Sequence, residues 1–454
     1  MAEPLDGRST LVCGVGVAGV SAARALLAAG ASVSLCATTE GPAVAALVAA
    51  GARWLGALST VPDGVELVIA SPGLRPTDPL LVDAAGRGLP VWGEVELAWR
   101  LRGPGAAPWL ALTGTNGKTT TVHMLEAILL AAGRRAVAVG NVGVSLIDAV
   151  LAEPPYDVLA VELSSQQLHF APSLRPRAGA LLNLADDHLD WHGSFAAYAE
   201  AKAAIWNADV AVGNRDDERV AALLDTVTAP AVVGFTLDEP AAGDVGVRDG
   251  VLVFGGDGPA IIAADEIRPA GVHNVANALA AAALARAYGI DAAGIAAGLR
   301  AFVPDPHRNQ LVGEFGGVTY VDDSKATNGH AARASLLAYP RIVWIAGGQL
   351  KGATVDDLVL ELRDRLVGVV LLGVDRAVIA EALRRHAPEI PVIDVSSNDD
   401  GAMLSVVRAA AGLARPGDTV LLAPAAASYD MFANYSARGD AFAAAARLIA
   451  EEPA

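Results

Sequence analysis

Short apolar runs alternate with alanine- and leucine-rich helical patterns along the first hundred residues. The apolar runs at 9–13, 32–35 and 67–70 predict strands, and the periodic segments 20–29 and 44–50 predict helices. Strands that alternate with helices imply right-handed crossovers and a parallel sheet. The stretch 101–108, which contains two prolines and two glycines, interrupts this pattern and indicates a linker.

The same alternation returns twice further along the chain. A second set of strands and helices is predicted at 109–112, 118–132, 136–139, 157–163, 178–182, 273–288 and 292–301. Short runs between about 231 and 264 predict a small antiparallel insertion in this set. Pro304 and Pro306, around Asp305, interrupt helical structure and mark a second boundary. A third set of strands is predicted at 318–321, 342–346, 367–372, 392–395 and 419–422.

These patterns predict an α/β protein with three doubly wound domains at 1–104, 105–305 and 306–454. The first and third domains are expected to be Rossmann-like. A length of 454 residues fits three domains, each with its own core. In all three domains, loops are therefore expected to follow the carboxyl ends of the parallel strands.

Composition narrows the class of protein. Hydrophobic residues make up 53% of the chain and the mean hydropathy is +0.41, but polar residues interrupt every long apolar run, so no membrane-spanning helix is predicted. A net charge of −17 disfavours a nucleic-acid partner. The first ten residues lack a secretory signal, and the two cysteines, Cys13 and Cys36, are expected to be core residues in a reducing compartment. The protein is expected in the cytoplasm.

The most informative motif is Thr113–Thr120, which stands between an apolar strand and a helix. Glycines let the backbone curl so that its N–H groups and the helix N-terminus face phosphate oxygens. Lys118 adds a point charge, and the Thr119 hydroxyl can ligate Mg²⁺. Leu112 replaces the first glycine of the longer motif, so a shortened P-loop is predicted in the central domain. The residues expected to bind ATP here are Gly114, Thr115, Asn116, Gly117, Lys118, Thr119 and Thr120.

Candidate metal ligands follow neighbouring strands. Glu162 ends the strand 157–163, His188 lies in the acidic loop 183–193, and Lys202 lies on an apolar helical face that can perturb its pKa. Taken singly, Glu162 could be a surface carboxylate and His188 an ordinary loop histidine.

Together these residues resemble the Mur ligase superfamily. The phosphate motif, Glu162–Ser165, the Asp187–His188 pair, Lys202, 271–277 and His307–Arg308 occur in the order and approximate spacing of that family. The resemblance covers essentially the whole chain. It implies an ATP-dependent amide-bond ligase of peptidoglycan precursor synthesis, of the branch that adds D-glutamate to UDP-N-acetylmuramoyl-L-alanine through an acyl phosphate. Because the expected parts of the site lie on three domains, the third domain is expected to close on the second, and a monomer is expected.

The resemblance also implies ligands and roles. Lys118, Glu162, His188 and Lys202 are the expected catalytic residues. Two Mg²⁺ ions are expected on Thr119, Glu162, His188 and Lys202, the lysine as a CO₂-derived carbamate, because a free ammonium would repel the metal. Asn274, Arg308 and Asp323 match further ATP-contacting positions.

The N-terminal fingerprint Gly14–Gly19 would by itself suggest a dinucleotide, but residues 36–39 lack the acid that binds the ribose. The resemblance assigns this domain to the UDP substrate. Its expected contacts are Val17, Ala18, Thr38, Ser71 and Gly73, with Asn141 on the sugar–peptide part.

The third domain is expected to bind D-glutamate. Cations and hydroxyls suit a substrate with two carboxylates. The positions that match the family's pocket are Lys325, Thr327, Lys351, Ser428 and the backbone near Tyr435.

Three other functions remain open from the sequence. A folylpolyglutamate-type ligase would share the ATPase domain. A nicotinamide oxidoreductase rests on the first glycine loop alone. A nucleotide-binding regulator would not need Glu162, His188 and Lys202 together.

Overall fold

The computed structural model describes residues 5–304, 306–397 and 401–451, and these residues form three α/β sheets. Two compact units contain them. The first holds Met1–Glu266 with Ala276–Phe302, and the second holds Ile267–Val275 with Val303–Ala454. The predicted fold class, three doubly wound sheets flanked by helices, is confirmed. Asp305, in the predicted second boundary, lies outside the described residues.

The first sheet, within residues 5–108, is fully parallel with the strand order β3-β2-β1-β4-β5. Its strands are β1 (Ser9–Cys13), β2 (Ser32–Cys36), β3 (Arg53–Trp54), β4 (Leu67–Ala70) and β5 (Val91–Trp92). Its helices are α1 (Val17–Ala28), α2 (Pro42–Ala49), α3 (Pro79–Gly86) and α4 (Glu94–Leu101). Apolar residues such as Leu11, Leu35 and Leu67 are fully buried, which is why apolar residues recur along these strands.

The second sheet, within residues 109–304, has the order β14-β13-β12-β11-β10-β9-β6-β8-β7. Its strands are β6 (Trp109–Thr113), β7 (Ala136–Gly140), β8 (Val158–Glu162), β9 (Ala178–Leu181), β10 (Val210–Asn214), β11 (Ala231–Phe235), β12 (Val245–Arg248), β13 (Val251–Phe254) and β14 (Ala260–Ala263). Its helices are α5 (Lys118–Ala131), α6 (Leu146–Val150), α7 (Ser165–His169), α8 (Leu189–His192), α9 (Phe195–Ala203), α10 (Glu218–Leu224), α11 (Val272–Tyr288) and α12 (Ala292–Ala301). Short 3₁₀ turns occur at Ala204–Trp206 and Ala264–Glu266.

The predicted antiparallel insertion at 231–264 needs correction. Strand β11 pairs in parallel with β10, and only the β12–β13–β14 part is antiparallel. These strands extend the central sheet. The reason is that α10 connects β10 to β11 as one more parallel crossover. The strands here are short and contain glycine, so the sequence pattern did not indicate this crossover.

The third sheet, in residues 306–397 and 401–451, has the order β15-β16-β20-β17-β18-β19. Its strands are β15 (Gln310–Phe315), β16 (Val318–Asp322), β17 (Ile342–Gly347), β18 (Leu366–Leu372), β19 (Val392–Asp394) and β20 (Thr419–Leu422). Its helices are α13 (Gly329–Leu336), α14 (Asp356–Leu362), α15 (Arg376–His386), α16 (Ala402–Leu413) and α17 (Tyr435–Glu451), with a 3₁₀ turn at Arg363–Arg365. Strand β15, which the sequence did not predict, is an antiparallel edge strand.

The first two sheets are joined inside the first unit by buried polar contacts. Glu96, on α4, is fully buried and accepts hydrogen bonds from the Ser173 backbone N–H at 2.9 Å and hydroxyl at 2.5 Å. Ser145 donates to the Glu94 carboxylate at 2.9 Å. Burial makes such bonds sensitive to the loss of either partner, so they fix one sheet relative to the other.

No helix in the described ranges is long and apolar enough to span a membrane. The loops that carry predicted site residues follow the carboxyl ends of parallel strands. Ligands bind at this edge in open α/β sheets. Gly14 follows β1, Gly114 follows β6, and Asp323 follows β16.

Candidate functional site

The phosphate loop runs from the end of β6 to the first turn of α5. Gly117 caps α5 with φ +80°, a left-handed conformation that glycine adopts without strain. A Cβ at Gly117 would lie 2.3 Å from Oδ1 of Asn277, so the Asn277 side chain would have to shift to admit one. The loop is therefore held against α11 by backbone geometry that only glycine provides.

Asn183, which follows β9, shapes the loop from the other side. Its Oδ1 accepts from the Asn116 backbone N–H at 2.8 Å, and its Nδ2 donates to the Asn116 carbonyl at 3.0 Å. The Asn183 carbonyl accepts from the Thr115 N–H at 3.1 Å. These hydrogen bonds hold the phosphate loop in its curved conformation.

Lys118 lies over the loop that precedes it. Its Nζ donates to the carbonyl oxygens of Gly114 at 2.9 Å and Thr115 at 3.0 Å. Thr119 and Thr120 are partly exposed in the first turn of α5. The cation and the helix N-terminus thus face the same concave loop, the arrangement that binds phosphate.

Lys202 lies beside this loop and is buried, with 2% of its surface exposed. Its Nζ donates to the Gly114 carbonyl at 2.8 Å and to Thr113 Oγ1 at 3.2 Å. Burial, and then the nearby Lys118 cation, lower the pKa of Lys202 to about 6, against the opposing effect of Asp187 and Glu162. The amine is therefore largely uncharged at neutral pH.

Glu162 ends β8 and is also buried, with 1% of its surface exposed. Its Oε1 accepts from Asn141 Nδ2 at 2.9 Å, and its carbonyl accepts from the Asn141 backbone N–H. In the described part of the chain, Oε2 has no hydrogen-bond partner. A buried carboxylate oxygen without a partner is costly, and a cation would satisfy it.

His188 differs from Glu162 and Lys202 in its surroundings. It caps α8 in the left-handed conformation with φ +50°, and its side chain is half exposed, 3.6 Å from Asp187. Among the residues that the structure describes, no three His, Cys, Asp or Glu side chains gather as a metal site. The predicted ligand set relies instead on a threonine hydroxyl and a modified lysine, alongside Glu162 and His188.

A second histidine links the His188 turn to the Glu162 strand. His192 ends α8, its backbone N–H donates to the His188 carbonyl at 3.0 Å, and its Nε2 lies 2.9 Å from Ser165 Oγ. Burial, followed by the nearby charges of His169, His188 and Lys202, lowers the pKa of His192 to about 4. A neutral His192 thus connects the two loops.

The first glycine loop packs tightly at the carboxyl edge of the first sheet. A Cβ at Gly14, where φ is +91°, would lie 2.4 Å from Ser71 Oγ, and one at Gly19 would lie 1.9 Å from the Gly14 carbonyl. Val17 at the start of α1 is 83% exposed, Ala18 is partly buried, and Thr38 and Gly73 are exposed. The structure therefore brings the predicted UDP residues Val17, Ala18, Thr38, Ser71 and Gly73 to one edge.

Arg308 and Asp323, in the second unit, flank a buried pair. His307 Nδ1 and Asp322 Oδ2 are 2.7 Å apart, and both residues are buried. Asp323 accepts from the Asn309 N–H at 3.1 Å, and desolvation raises its pKa to about 6. Asn274 belongs to the same unit, where its Nδ2 donates to the Ala270 carbonyl at 3.3 Å.

The predicted D-glutamate residues are only partly brought together by direct contacts. Lys325 Nζ lies 3.9 Å from the centre of the Tyr435 ring, and the Thr327 N–H donates to the Lys325 carbonyl. The Tyr435 carbonyl already accepts from Ser324 Oγ at 2.7 Å. Ser428 is buried, whereas Lys351 is exposed with φ +54°.

Family models match nearly the whole chain. Residues 8–93 match the Mur ligase MurD-like N-terminal domain, 112–285 match the Mur ligase middle domain, and 307–426 match the glutamate ligase domain of Mur ligases. The chain belongs to the Mur ligase family. This Mur ligase is 54% identical to a Streptomyces avermitilis protein over 97% of its own chain and 98% of the relative. It is 53% identical to a Streptomyces coelicolor protein over 99% and 100%, and 52% identical to one from Thermobifida fusca over 98% and 99%. All three are named UDP-N-acetylmuramoylalanine–D-glutamate ligase.

Solved structures support the same fold for this Mur ligase. The UDP-N-acetylmuramate-alanine ligase MurC from Thermotoga maritima has a TM-score of 0.59 at 19% identity and covers 98% of this chain and 100% of its own. MurF from Acinetobacter baumannii has a TM-score of 0.57 at 19% identity and covers 86% of each chain.

Sequence reasoning missed several residues that shape the site of this Mur ligase. Asn183, Asn277, Ser165 and His192 make the contacts described above, yet none was singled out as a site residue. Asn183 follows a predicted strand, which is a usable signal. Asn277 lies in the 271–277 motif that resembles the family, but its approach to Gly117 depends on how α11 packs.

Proposed function

We propose that this Mur ligase joins D-glutamate to UDP-N-acetylmuramoyl-L-alanine with cleavage of ATP to ADP and phosphate. Identity of 52–54% with D-glutamate ligases, along nearly the full length of each protein, is the observation that supports this most strongly. The reaction is proposed to take place in the bacterial cytoplasm.

The phosphate loop would hold the triphosphate of ATP. Its N–H groups, the α5 N-terminus and Lys118 supply the positive potential. Asn274, Arg308 and Asp323 contact the rest of the nucleotide.

The site fits divalent cations because Glu162 Oε2 is buried and has no hydrogen-bond partner among the residues that the structure describes. Thr119, Glu162, His188 and Lys202 would hold two Mg²⁺ ions. Bound Mg²⁺ neutralises charge on the phosphates.

Lys202 would act as a carbamate. Its buried amine, 2.8 Å from the Gly114 carbonyl, lies beside the phosphate loop. An uncharged amine attacks CO₂ and loses a proton, which converts the side chain into an anionic oxygen ligand. Without this modification, the site would contain a lysine next to the expected cations.

The reaction then proceeds in two steps. The alanyl carboxylate attacks the γ-phosphate of ATP, ADP leaves, and an acyl phosphate forms while Lys118 stabilises the charge on the transferring group. The amine of D-glutamate attacks the acyl carbonyl, phosphate leaves, and the amide bond is complete. His188 and nearby N–H groups stabilise the tetrahedral oxyanion.

Substrate binding is divided between the outer sheets. Val17, Ala18, Thr38, Ser71 and Gly73 contact the UDP part, and Asn141 contacts the sugar–peptide part. Lys325, Thr327, Lys351, Ser428 and the backbone near Tyr435 bind the carboxylates of D-glutamate.

The proposal is tested by comparing acyl acceptors. With ATP, Mg²⁺ and D-glutamate, we expect phosphate release with UDP-N-acetylmuramoyl-L-alanine and none above background with a folate. Lys118→Ala should reduce turnover at least about 100-fold, because it removes charge stabilisation of the transition state. Arg384→Ala, in an exposed ion pair with Glu381 in the second unit, is the control and should retain turnover. Turnover with the folate, or full turnover by Lys118→Ala, would refute the proposal.

A further inference from the structure

The two cysteines of the chain lie side by side at the edge of the first sheet. Cys13 is the last residue of β1 and Cys36 the last of β2, and they are direct partners in the parallel register. Both are free and buried in one apolar cluster with Leu11 and Ala70, so their side chains project from the same face.

The backbone of each cysteine is tied to a glycine or serine of the predicted UDP loops. The Gly14 N–H donates to the Cys36 carbonyl at 2.8 Å, and the Ser71 N–H donates to the Cys13 carbonyl at 3.0 Å. A movement of either strand end would therefore displace these loops.

We propose that Cys13 and Cys36 form a reversible disulfide when a hydroperoxide reaches the protein. Paired strands are about 4.8 Å apart, which lies within the Cα separation that disulfides span. The Cβ atoms of a disulfide approach to about 3.8 Å, so the two strand ends must move together by about 1 Å. Strain of this kind makes a disulfide easier to reduce.

The chemistry balances within the pair. The Cys36 thiolate attacks the peroxide oxygen, the O–O bond breaks, and the alcohol leaves with a proton, which yields Cys36 sulfenic acid. The Cys13 sulfur attacks the sulfenic sulfur, its proton and the hydroxyl leave as water, and the S–S bond forms. Two electrons from the pair reduce one peroxide.

The surroundings favour Cys36 as the attacking group. The neighbouring Cys13 thiol lowers the pKa of Cys36 to about 7; burial acts in the opposite direction, and the Leu58 backbone adds a smaller lowering effect. The same interaction, together with burial, raises the pKa of Cys13. Cys36 is thus the thiol that attacks the peroxide, and Cys13 is the thiol that then attacks the sulfenic acid.

Oxidation should weaken binding of the UDP substrate, an expectation that rests on the proposed function. The Gly14 loop is packed closely against Ser71, since a Cβ at Gly14 would already lie 2.4 Å from Ser71 Oγ. A shift of about 1 Å at the strand ends would deform this loop. We expect the KM for the UDP substrate to rise about tenfold, with the KM for ATP nearly unchanged.

The test uses the full-length reduced protein treated with hydrogen peroxide without substrate. We expect both thiols to become unreactive toward an alkylating reagent, the intact mass to fall by two hydrogens, and dithiothreitol to reverse both changes. Cys13→Ser should accumulate a sulfenic acid that dimedone traps, and Cys36→Ser should remain unreacted. Two alkylatable thiols after treatment, or a sulfinic acid without a disulfide, would overturn the proposal.

Thiol counting needs no ligase substrate, so its result is independent of the proposed function. The KM is then measured on oxidised and re-reduced protein. An unchanged KM for the UDP substrate in fully oxidised protein would overturn the link to binding.

Discussion

Four lysines occur in the chain, Lys118, Lys202, Lys325 and Lys351, and all four are predicted site residues. Arginine and histidine supply the remaining basic side chains, so lysine chemistry can be followed with little background. Lys202 is the buried one, with 2% of its surface exposed, whereas Lys351 is exposed.

This contrast allows a direct test of the carbamate. In ¹³C-labelled bicarbonate, we expect a carbamate resonance in the ¹³C spectrum that Lys202→Ala lacks and Lys351→Ala retains. The physical reason is that burial keeps the Lys202 amine uncharged and therefore able to attack CO₂. A carbamate resonance that persists in Lys202→Ala would contradict the assignment.

His192 is predicted to position His188. Removal of the contact with Ser165 in His192→Ala should raise the Mg²⁺ concentration for half-maximal turnover about 10–100-fold, the usual effect of losing a partner behind a metal ligand. His192→Asn, which keeps a side-chain N–H donor, should recover part of the affinity. His386→Ala, which breaks a surface contact with Asp356, is the control. An unchanged Mg²⁺ dependence in His192→Ala would exclude this role.

Asp323 predicts a pH dependence of stability. Its pKa is raised from 3.8 to about 6, so the folded state binds the proton more tightly than the unfolded state. Its contribution is fully present below pH 3.8 and is lost as the pH rises through about 6. The free energy of unfolding should fall by roughly 3 kcal/mol more in the wild type than in Asp323→Asn across this range. Urea denaturation at several pH values measures it, and parallel curves would contradict the prediction.

At the scale of elements, helix α5 begins and ends at glycines with different surroundings. Gly117 has φ +80° and packs against Asn277, whereas Gly133 has φ +73° and has no atom near its Cβ position. Gly133→Ala should lose about 1 kcal/mol of stability from backbone strain alone. Gly117→Ala should lose more and raise the KM for ATP at least about tenfold, because the loop must move. Equal effects of the two substitutions on ATP binding would contradict the account of the loop.

The sequence predicted elements best where apolar patterns were long. The predicted bounds of strand β6 and helix α5 agree with the observed bounds to within one residue. A fully buried strand and an apolar helix both have a clear pattern of apolar residues. Strand β15 was missed since Gln310, Gly313 and Glu314 give an exposed edge strand no apolar run. The parallel pairing of β11 was also missed, because pairing is decided by the crossover through α10 and leaves no local mark.

For the whole molecule, an ordered series of motifs indicated the family, and both the fold and the family are confirmed. The individual site roles stay predictions. Contacts such as Asn183 with Asn116 and His192 with Ser165 join residues 67 and 27 positions apart. Such contacts exist only after the sheet has assembled, so patterns along the chain do not reveal them.

The two predicted carboxylate-binding lysines also predict which amino acid the whole enzyme selects as its substrate. Lys325 and Lys351 would pair with the two carboxylates of glutamate, so D-alanine, with one carboxylate, should be a poor substrate. We expect kcat/KM for D-alanine to be at least about 100-fold lower than for D-glutamate, because one of the two lysines would lose its carboxylate partner. Comparable values for the two amino acids would contradict the pocket assignment.

The most direct measurement of the central claim is product formation from UDP-N-acetylmuramoyl-L-alanine, ATP and Mg²⁺ with either D-glutamate or L-glutamate. The account predicts one ADP, one phosphate and one UDP-linked dipeptide per turnover with D-glutamate, detected by mass spectrometry, and no product with L-glutamate. Absence of the D-glutamate product, or equal turnover with the two enantiomers, would contradict it.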